Sequence, residues 1–120
     1  MRRIDRRERA EKRGRRGETI AAWWLRLHGW RIVAKRVRTR AGEIDLIARR
    51  WRTLAFIEVK TRDSAVARDV AIDDWRLRRV IRAAEALVPR YAGPHDTIRI
   101  DVILLARGKL PLHIANVSHG

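Results

Sequence analysis

Three charged residues stand inside otherwise apolar runs. Asp45 lies in Glu43-Ile44-Asp45-Leu46-Ile47-Ala48, and Glu58 and Lys60 lie in Leu54-Ala55-Phe56-Ile57-Glu58-Val59-Lys60. Glu58 and Lys60 are two apart, so in a strand they project from one face. A hairpin joining 43–48 to 54–60 through an even loop of two or four residues adds Asp45 to that face, because opposed residues of an antiparallel pair point the same way. Two carboxylates held together repel, and one tends to protonate unless a cation intervenes. Mg²⁺ or Mn²⁺ suits Asp45 and Glu58: such hard ions take oxygen from one or two carboxylates and keep waters for the rest. An ion of this kind activates water and stabilises charge on a phosphodiester. A neighbouring lysine can orient that water or neutralise the crowded phosphate. The same spacing equally suits an ion-paired patch on a half-exposed sheet, with Lys60 against Glu58 or Asp45.

The elements that must hold these residues can be read from periodicity. Residues 1–13 form a basic tail or a solvated helix with Ile4 as the apolar exception, ahead of a single domain over 14–120. Gly17 to His28 reads as a helix, with Ile20, Trp23, Trp24 and Leu27 on its buried stripe and Gly29 as its stop. Strands follow at Trp30–Val37, Glu43–Ala48 and Leu54–Lys60. In the second, Ile44, Leu46 and Ala48 are expected on one face and Glu43, Asp45 and Ile47 on the other. Residues 63–69 read as a polar loop. A second helix spans Val70–Val88, burying Ile72, Trp75, Val80, Ala84 and Leu87 and ending at Pro89. Ile98–Leu105 and Leu112–Val117 complete the strands. The order αβββαββ implies a mixed α/β sheet flanked by helices: a meander of three strands, then a helical crossover to a parallel partner.

Composition narrows the partners. Among the 120 residues, Lys and Arg number 29 and Asp and Glu 14, a net charge of +15. That excess favours a polyanion, nucleic acid first. There is no cysteine, which excludes disulfide scaffolds, cysteine-ligated zinc and thiol catalysis. The sequence shows no secretory signal pattern and no membrane-length apolar run, so no membrane partner is expected and a cytoplasmic location is.

The strings Gly42-Glu43-Ile44-Asp45-Leu46-Ile47-Ala48 and Phe56-Ile57-Glu58-Val59-Lys60-Thr61-Arg62, with Gly14-Arg15-Arg16-Gly17-Glu18 before them, resemble the YraN family of small bacterial proteins. That family is similar to archaeal Holliday-junction resolvases and has the restriction-endonuclease-like fold. The resemblance runs over roughly residues 14–117. It implies Asp45 and Glu58 as metal-binding acids, Lys60 as the catalytic lysine, and Glu18 as an acid that reaches the same site from the first helix. Arg76 stands where the family usually has a lysine, which favours phosphate contact there over proton handling. The segment Ala67-Arg68-Asp69 lacks the family's common glycine.

Read without the family, Glu18 simply complements a helix dipole, Glu43 shares the face of Asp45 and forms a rim ion pair, with a further ligand as the alternative, and Asp101 is an internal partner of an arginine. The four histidines show no ligand spacing. Trp23, Trp24 and Trp75 are expected in the core, while Trp30 and Trp51 are the candidates for stacking on bases. The leading expectation is a Mg²⁺- or Mn²⁺-dependent endonuclease acting on DNA, including branched DNA, with Arg15, Arg16, Arg62 and Arg76 contacting phosphates. A homodimer would suit a symmetric junction. The alternatives are a DNA- or RNA-binding module with a vestigial nuclease site, and an RNA- or ribosome-associated basic protein without catalysis.

Overall fold

The computed structural model describes residues 3–62 and 74–117, with side chains over 15–62 and 77–117. The expected loop at 63–69, the helix start at Val70 and Ile72 lie outside the described residues, as do the side chains of Trp75 and Arg76. The elements are α1 (Arg3–Leu27), β1 (Arg31–Arg38), β2 (Glu43–Arg50), β3 (Thr53–Arg62), α2 (Asp74–Tyr91), β4 (Thr97–Ala106) and β5 (Leu112–Ile114). They build one five-stranded sheet in the order β1-β2-β3-β4-β5. The pairs β1–β2, β2–β3 and β4–β5 are antiparallel, and β3–β4 is parallel across the α2 crossover. This is the mixed α/β sheet and the αβββαββ order expected from periodicity. No helix among the described residues is long and apolar enough to cross a membrane.

Each face of the sheet packs one helix. On the α1 side, Ala21, Ala22 and Leu25 meet Trp30, Leu46, Ala48, Ala55, Ile57, Ile103 and Leu105. On the α2 side, Val80, Ala83, Ala84 and Leu87 meet Ile44, Ile47, Leu54, Phe56 and Ile100. Burial of these side chains contributes about 1.5–3 kcal/mol for each large aliphatic or aromatic residue.

Several expectations need correction. Helix α1 starts at Arg3 and not at Gly17, so the helical alternative for the basic segment holds and the tail does not: the Arg-, Glu-, Lys- and Ala-rich stretch has high helix propensity and no proline. Its buried stripe is not Ile20, Trp23, Trp24 and Leu27. Ile20, Trp23 and Leu27 are 53, 59 and 78% exposed, while Ala21, Ala22 and Leu25 are wholly buried. The cause is close approach. A Cβ on Gly17 would lie 2.8 Å from Thr61 Oγ1 and 3.4 Å from Leu105 Cδ1. The small residues Gly17 and Ala21, one turn apart, therefore seat the helix on β3 and β4, and the bulky stripe turns outward. Pro89 does not end α2: the helix includes it and stops at Tyr91. After β4, β5 is shorter than the expected 112–117.

The connections are held by specific bonds. Trp51 and Arg52 form the two-residue loop between β2 and β3, with Trp51 at φ 56°. The β1–β2 turn is closed by Thr39 N–H donating to Gly42 O at 2.8 Å and by the Thr39 hydroxyl, which accepts from Ala41 and Gly42 N–H at 3.1 Å each. Gly42 sits at φ 154°, a conformation that disfavours a side chain, although a Cβ there would only reach ordinary contact with the Arg79 guanidinium. Arg49 donates to both carboxylate oxygens of Asp96 at 2.8 Å and to Tyr91 O at 3.2 Å, tying the α2–β4 connection to β2. This hydrogen-bonded ion pair holds the Asp96 carboxyl down at about 2.

Candidate metal centre

Strands β2 and β3 pair from Arg50↔Thr53 to Leu46↔Ile57 and no further, although both continue past that point. Asp45 stands where they diverge. Its carboxylate replaces the next ladder bond by accepting the Val59 N–H at 2.8 Å. The expected alternation of β2 breaks here. Ile44 packs with Ile47 on the α2 side, and only Leu46 and Ala48 remain on the α1 side. A strand released from its neighbour is free to twist, so the face assignment from simple period-two counting fails at Asp45.

The fork gathers acids from three places. Glu18 on α1, Glu43 at the start of β2 and Asp45 each offer a carboxylate oxygen, and these atoms all lie within 4.8 Å of one another. Burial pushes the Asp45 carboxyl up to about 7. The Val59 N–H opposes that rise, and Glu58, Glu18 and Glu43 add to it. Hard oxygen donors that repel one another across a half-buried gap match the donor set of Mg²⁺ or Mn²⁺, so the residues present fit such an ion.

Lys60 and Glu58 lie beside this group. Lys60 Nζ is 3.2 Å from Glu58 Oε1, and the Lys60 side chain is only 7% exposed. A cleft of about 150 Å³, lined by Gly42, Glu43, Glu58, Arg79 and Val80, opens next to them. Arg79 donates to Ala41 O at 3.3 Å and so helps shape its rim. Asp45, Glu18, Glu58 and Lys60 are therefore brought to one region. Asp45 clusters with Glu18 and Glu43, while Glu58 turns to Lys60. Arg15 and Arg16 are exposed on α1, and Arg62 is half-buried at the end of β3.

Two participants lie outside the main expectation. Glu43 is expected in a rim ion pair, with a further ligand beside Asp45 as the alternative. It does lie 3.3 Å from Arg38 Nε, yet it also completes the carboxylate group. Its place beside Asp45 in an alternating strand was the available signal. Arg36 on β1 had no signal. It sits at φ 51° and bonds Glu18 through Nε at 2.5 Å, and this bond to Glu18 raises its own pKa. Its exposed guanidinium supplies a counter-charge at the edge of the acidic group.

Corrections also apply among the aromatic residues. Trp30, a candidate for stacking on bases, is 3% exposed and sits in the α1-side core. The Arg50 and Arg99 guanidiniums lie 4.5 and 5.2 Å from its ring centroid. Trp23, expected in the core, is exposed, as is Trp51 at 92%. Asp101 is the internal partner of an arginine, as expected: Arg99 donates to its carboxylate at 2.7 Å.

Comparison with known proteins places the chain. The family described as "Uncharacterised protein family UPF0102" matches residues 17–105, a span that holds Glu18, Glu43, Asp45, Glu58 and Lys60. A UPF0102 protein of Rhizorhabdus wittichii is 62% identical over 117 residues, covering 98% of this chain and 99% of that one. One of Sphingopyxis alaskensis is 65% identical over 108 residues, covering 90 and 93%. One of Erythrobacter litoralis is 55% identical over 107 residues, covering 89 and 92%. With most of its length matched on both counts, the chain belongs to the UPF0102 family, the YraN family that its motifs resemble.

Proposed function

We propose that the protein is a divalent-metal-dependent nuclease that hydrolyses DNA phosphodiesters, with branched DNA among its substrates. The observation that carries this reading is the carboxylate group at the β2–β3 fork, where Glu18, Glu43 and Asp45 offer oxygens within 4.8 Å of one another. Acids facing a basic protein's polyanionic partner hinder binding unless a cation joins them. Asp45 would hold a Mg²⁺ or Mn²⁺ ion with Glu18, Glu43 or Glu58 as further ligands. Such an ion supplies activation of water and stabilisation of negative charge on phosphate.

The chain's own residues supply the rest. Glu58 and Lys60 project together from β3, so a phosphate drawn to the fork meets the Lys60 ammonium beside the Glu58 carboxylate. Lys60 stabilises the charge that gathers on the phosphate oxygens, and its near-complete burial strengthens that interaction. Val59 N–H fixes the Asp45 carboxylate in place. Arg36 neutralises Glu18 and keeps the acidic group from splaying. Arg15, Arg16, Arg62 and Arg76 contribute phosphate contacts that orient the strand without reading sequence.

The test compares wild type, Glu58→Gln and Lys60→Ala on duplex, single-stranded and four-way-junction DNA with Mg²⁺, Mn²⁺ or EDTA. Metal-dependent cleavage lost by about 10²-fold or more in each variant supports the proposal. Cleavage that survives Glu58→Gln, or wild-type protein that binds DNA and cuts none of these substrates, overturns it; the second outcome leaves a binding module.

A further inference from the structure

The outward face of α1 leads into a groove on the far side of the helix from Glu18. The groove measures about 420 Å³ and is lined by Arg16, Gly17, Ile20, Thr61, Arg62, Leu105, Ala106 and Arg107. It lies where the parallel strands β3 and β4 end together, at Thr61↔Leu105 and Arg62↔Ala106. Its floor is apolar and its rim carries three arginines, with no acid in the lining among the described residues. One turn further along α1, Trp23 is 59% exposed, with the Arg26 guanidinium 5.1 Å from its ring centroid.

We infer that this groove and Trp23 form a track for an unpaired nucleic-acid strand, a proposal that rests on the nucleic-acid reading above. Charge complementarity selects the occupant. Arg16, Arg62 and Arg107 attract phosphates, whereas a second copy of a chain with a net charge of +15 would bring like charge to the same rim. Size suits an unpaired strand: at about 420 Å³ the groove is in the range of small-ligand pockets and has room for one base with its sugar. A base entering it packs on Ile20 and Leu105 while its phosphates meet the arginines. The next base stacks on the exposed indole of Trp23, a sequence-tolerant contact. Glu58 and Lys60 lie on the other face of β3. Branched DNA with an unpaired arm would supply a strand for this track.

The test measures binding by fluorescence anisotropy in EDTA, so that no cleavage intervenes. Wild type, Trp23→Ala and Arg107→Gln are titrated with oligothymidylate and with duplex DNA over a range of salt. Trp23→Ala should weaken oligothymidylate binding about 5- to 100-fold. Arg107→Gln should lower the slope of log K against log salt for the single strand by about 0.7. Duplex binding should change little in either. Both substitutions are at exposed positions, and circular dichroism verifies the fold. Equal losses for duplex and single strand, or no loss for either, overturn the track while leaving the nuclease reading in place. A wild type that binds neither DNA overturns both. Wild-type protein that sediments with phosphatidylserine vesicles through Trp23, with oligothymidylate binding unaffected by Trp23→Ala, shows the face to be a lipid contact and overturns the track.

Discussion

Asp45 and Asp101 are both aspartates inside strands of one sheet, and their surroundings are opposite. Asp101 is wholly buried on β4 and fully partnered. Arg99 and His113 approach its Oδ2 at 2.7 Å each, and the Asn116 N–H donates to Oδ1 at 2.8 Å. Burial alone would push its carboxyl up, but these bonds outweigh it and hold the group below its ordinary value. Asp45 receives one backbone N–H and otherwise faces Glu18, Glu43 and Glu58, and it is pushed up to about 7. The first site solves its electrostatics within the chain and anchors β5 and the residues after it. At the second, Arg36, Arg38 and Lys60 pair with Glu18, Glu43 and Glu58, and Asp45 is the acid without an ion pair of its own among the described residues, the place that a bound cation would fill.

The sharpest way to break this contrast is at Asp101. Asp101→Ala leaves Arg99 and the Asn116 N–H without their buried partner and should destabilise the protein by about 3–5 kcal/mol in urea unfolding. Asp45→Asn should do the reverse. It removes a strained charge and should stabilise the metal-free protein at pH 8 by on the order of 1–3 kcal/mol. If both substitutions destabilise alike, the two sites do not differ as described.

A pH series sharpens the same comparison. The folded-state pKa of Asp45 lies above its ordinary 3.8, so the folded protein binds more protons than the unfolded chain between about pH 4 and 7. Stability from this group is present below pH 4 and lost as pH rises to 7. Asp101 is lowered, so its contribution is present above about 3.8 and lost as pH falls through its folded value. Urea midpoints in EDTA should show the loss between pH 4 and 7 in wild type, and Asp45→Asn should remove it. The smallest effect is expected at Arg38, whose side chain is 88% exposed and pairs with Glu43 at 3.3 Å. Arg38→Ala should change stability by less than about 1 kcal/mol.

Much of this arrangement was legible in the chain. Strand alternation located β2, β3 and β4, and the charges interrupting apolar runs at Asp45, Glu58 and Lys60 marked the region that the fold brings together. Asp101 was readable as an arginine partner because Arg99 precedes it by two in the same strand. What period counting missed had local causes. The fork at Leu46↔Ile57 is a tertiary event, so Ile44 changed sides without any sequence mark. Hydrophobicity chose the Ile20–Trp23–Leu27 stripe of α1 for burial, but shape decided the matter through Gly17 and Ala21, whose small size lets the helix approach the sheet. Arg36 reaches Glu18 because α1 packs against β1, a proximity with no local signature.

The central claim is that the β2–β3 fork is a divalent-cation site completed by Asp45. Calorimetric titration of metal-free protein with Mn²⁺ at pH 8 tests it directly, comparing wild type, Asp45→Asn and Glu18→Gln. The account predicts saturable binding by wild type that weakens tenfold or more in Asp45→Asn, with a smaller loss in Glu18→Gln. It also predicts weaker wild-type binding at pH 6, where Asp45 holds a proton that the ion must displace. Equal affinities in wild type and Asp45→Asn, or no binding by wild type at pH 8, would contradict it.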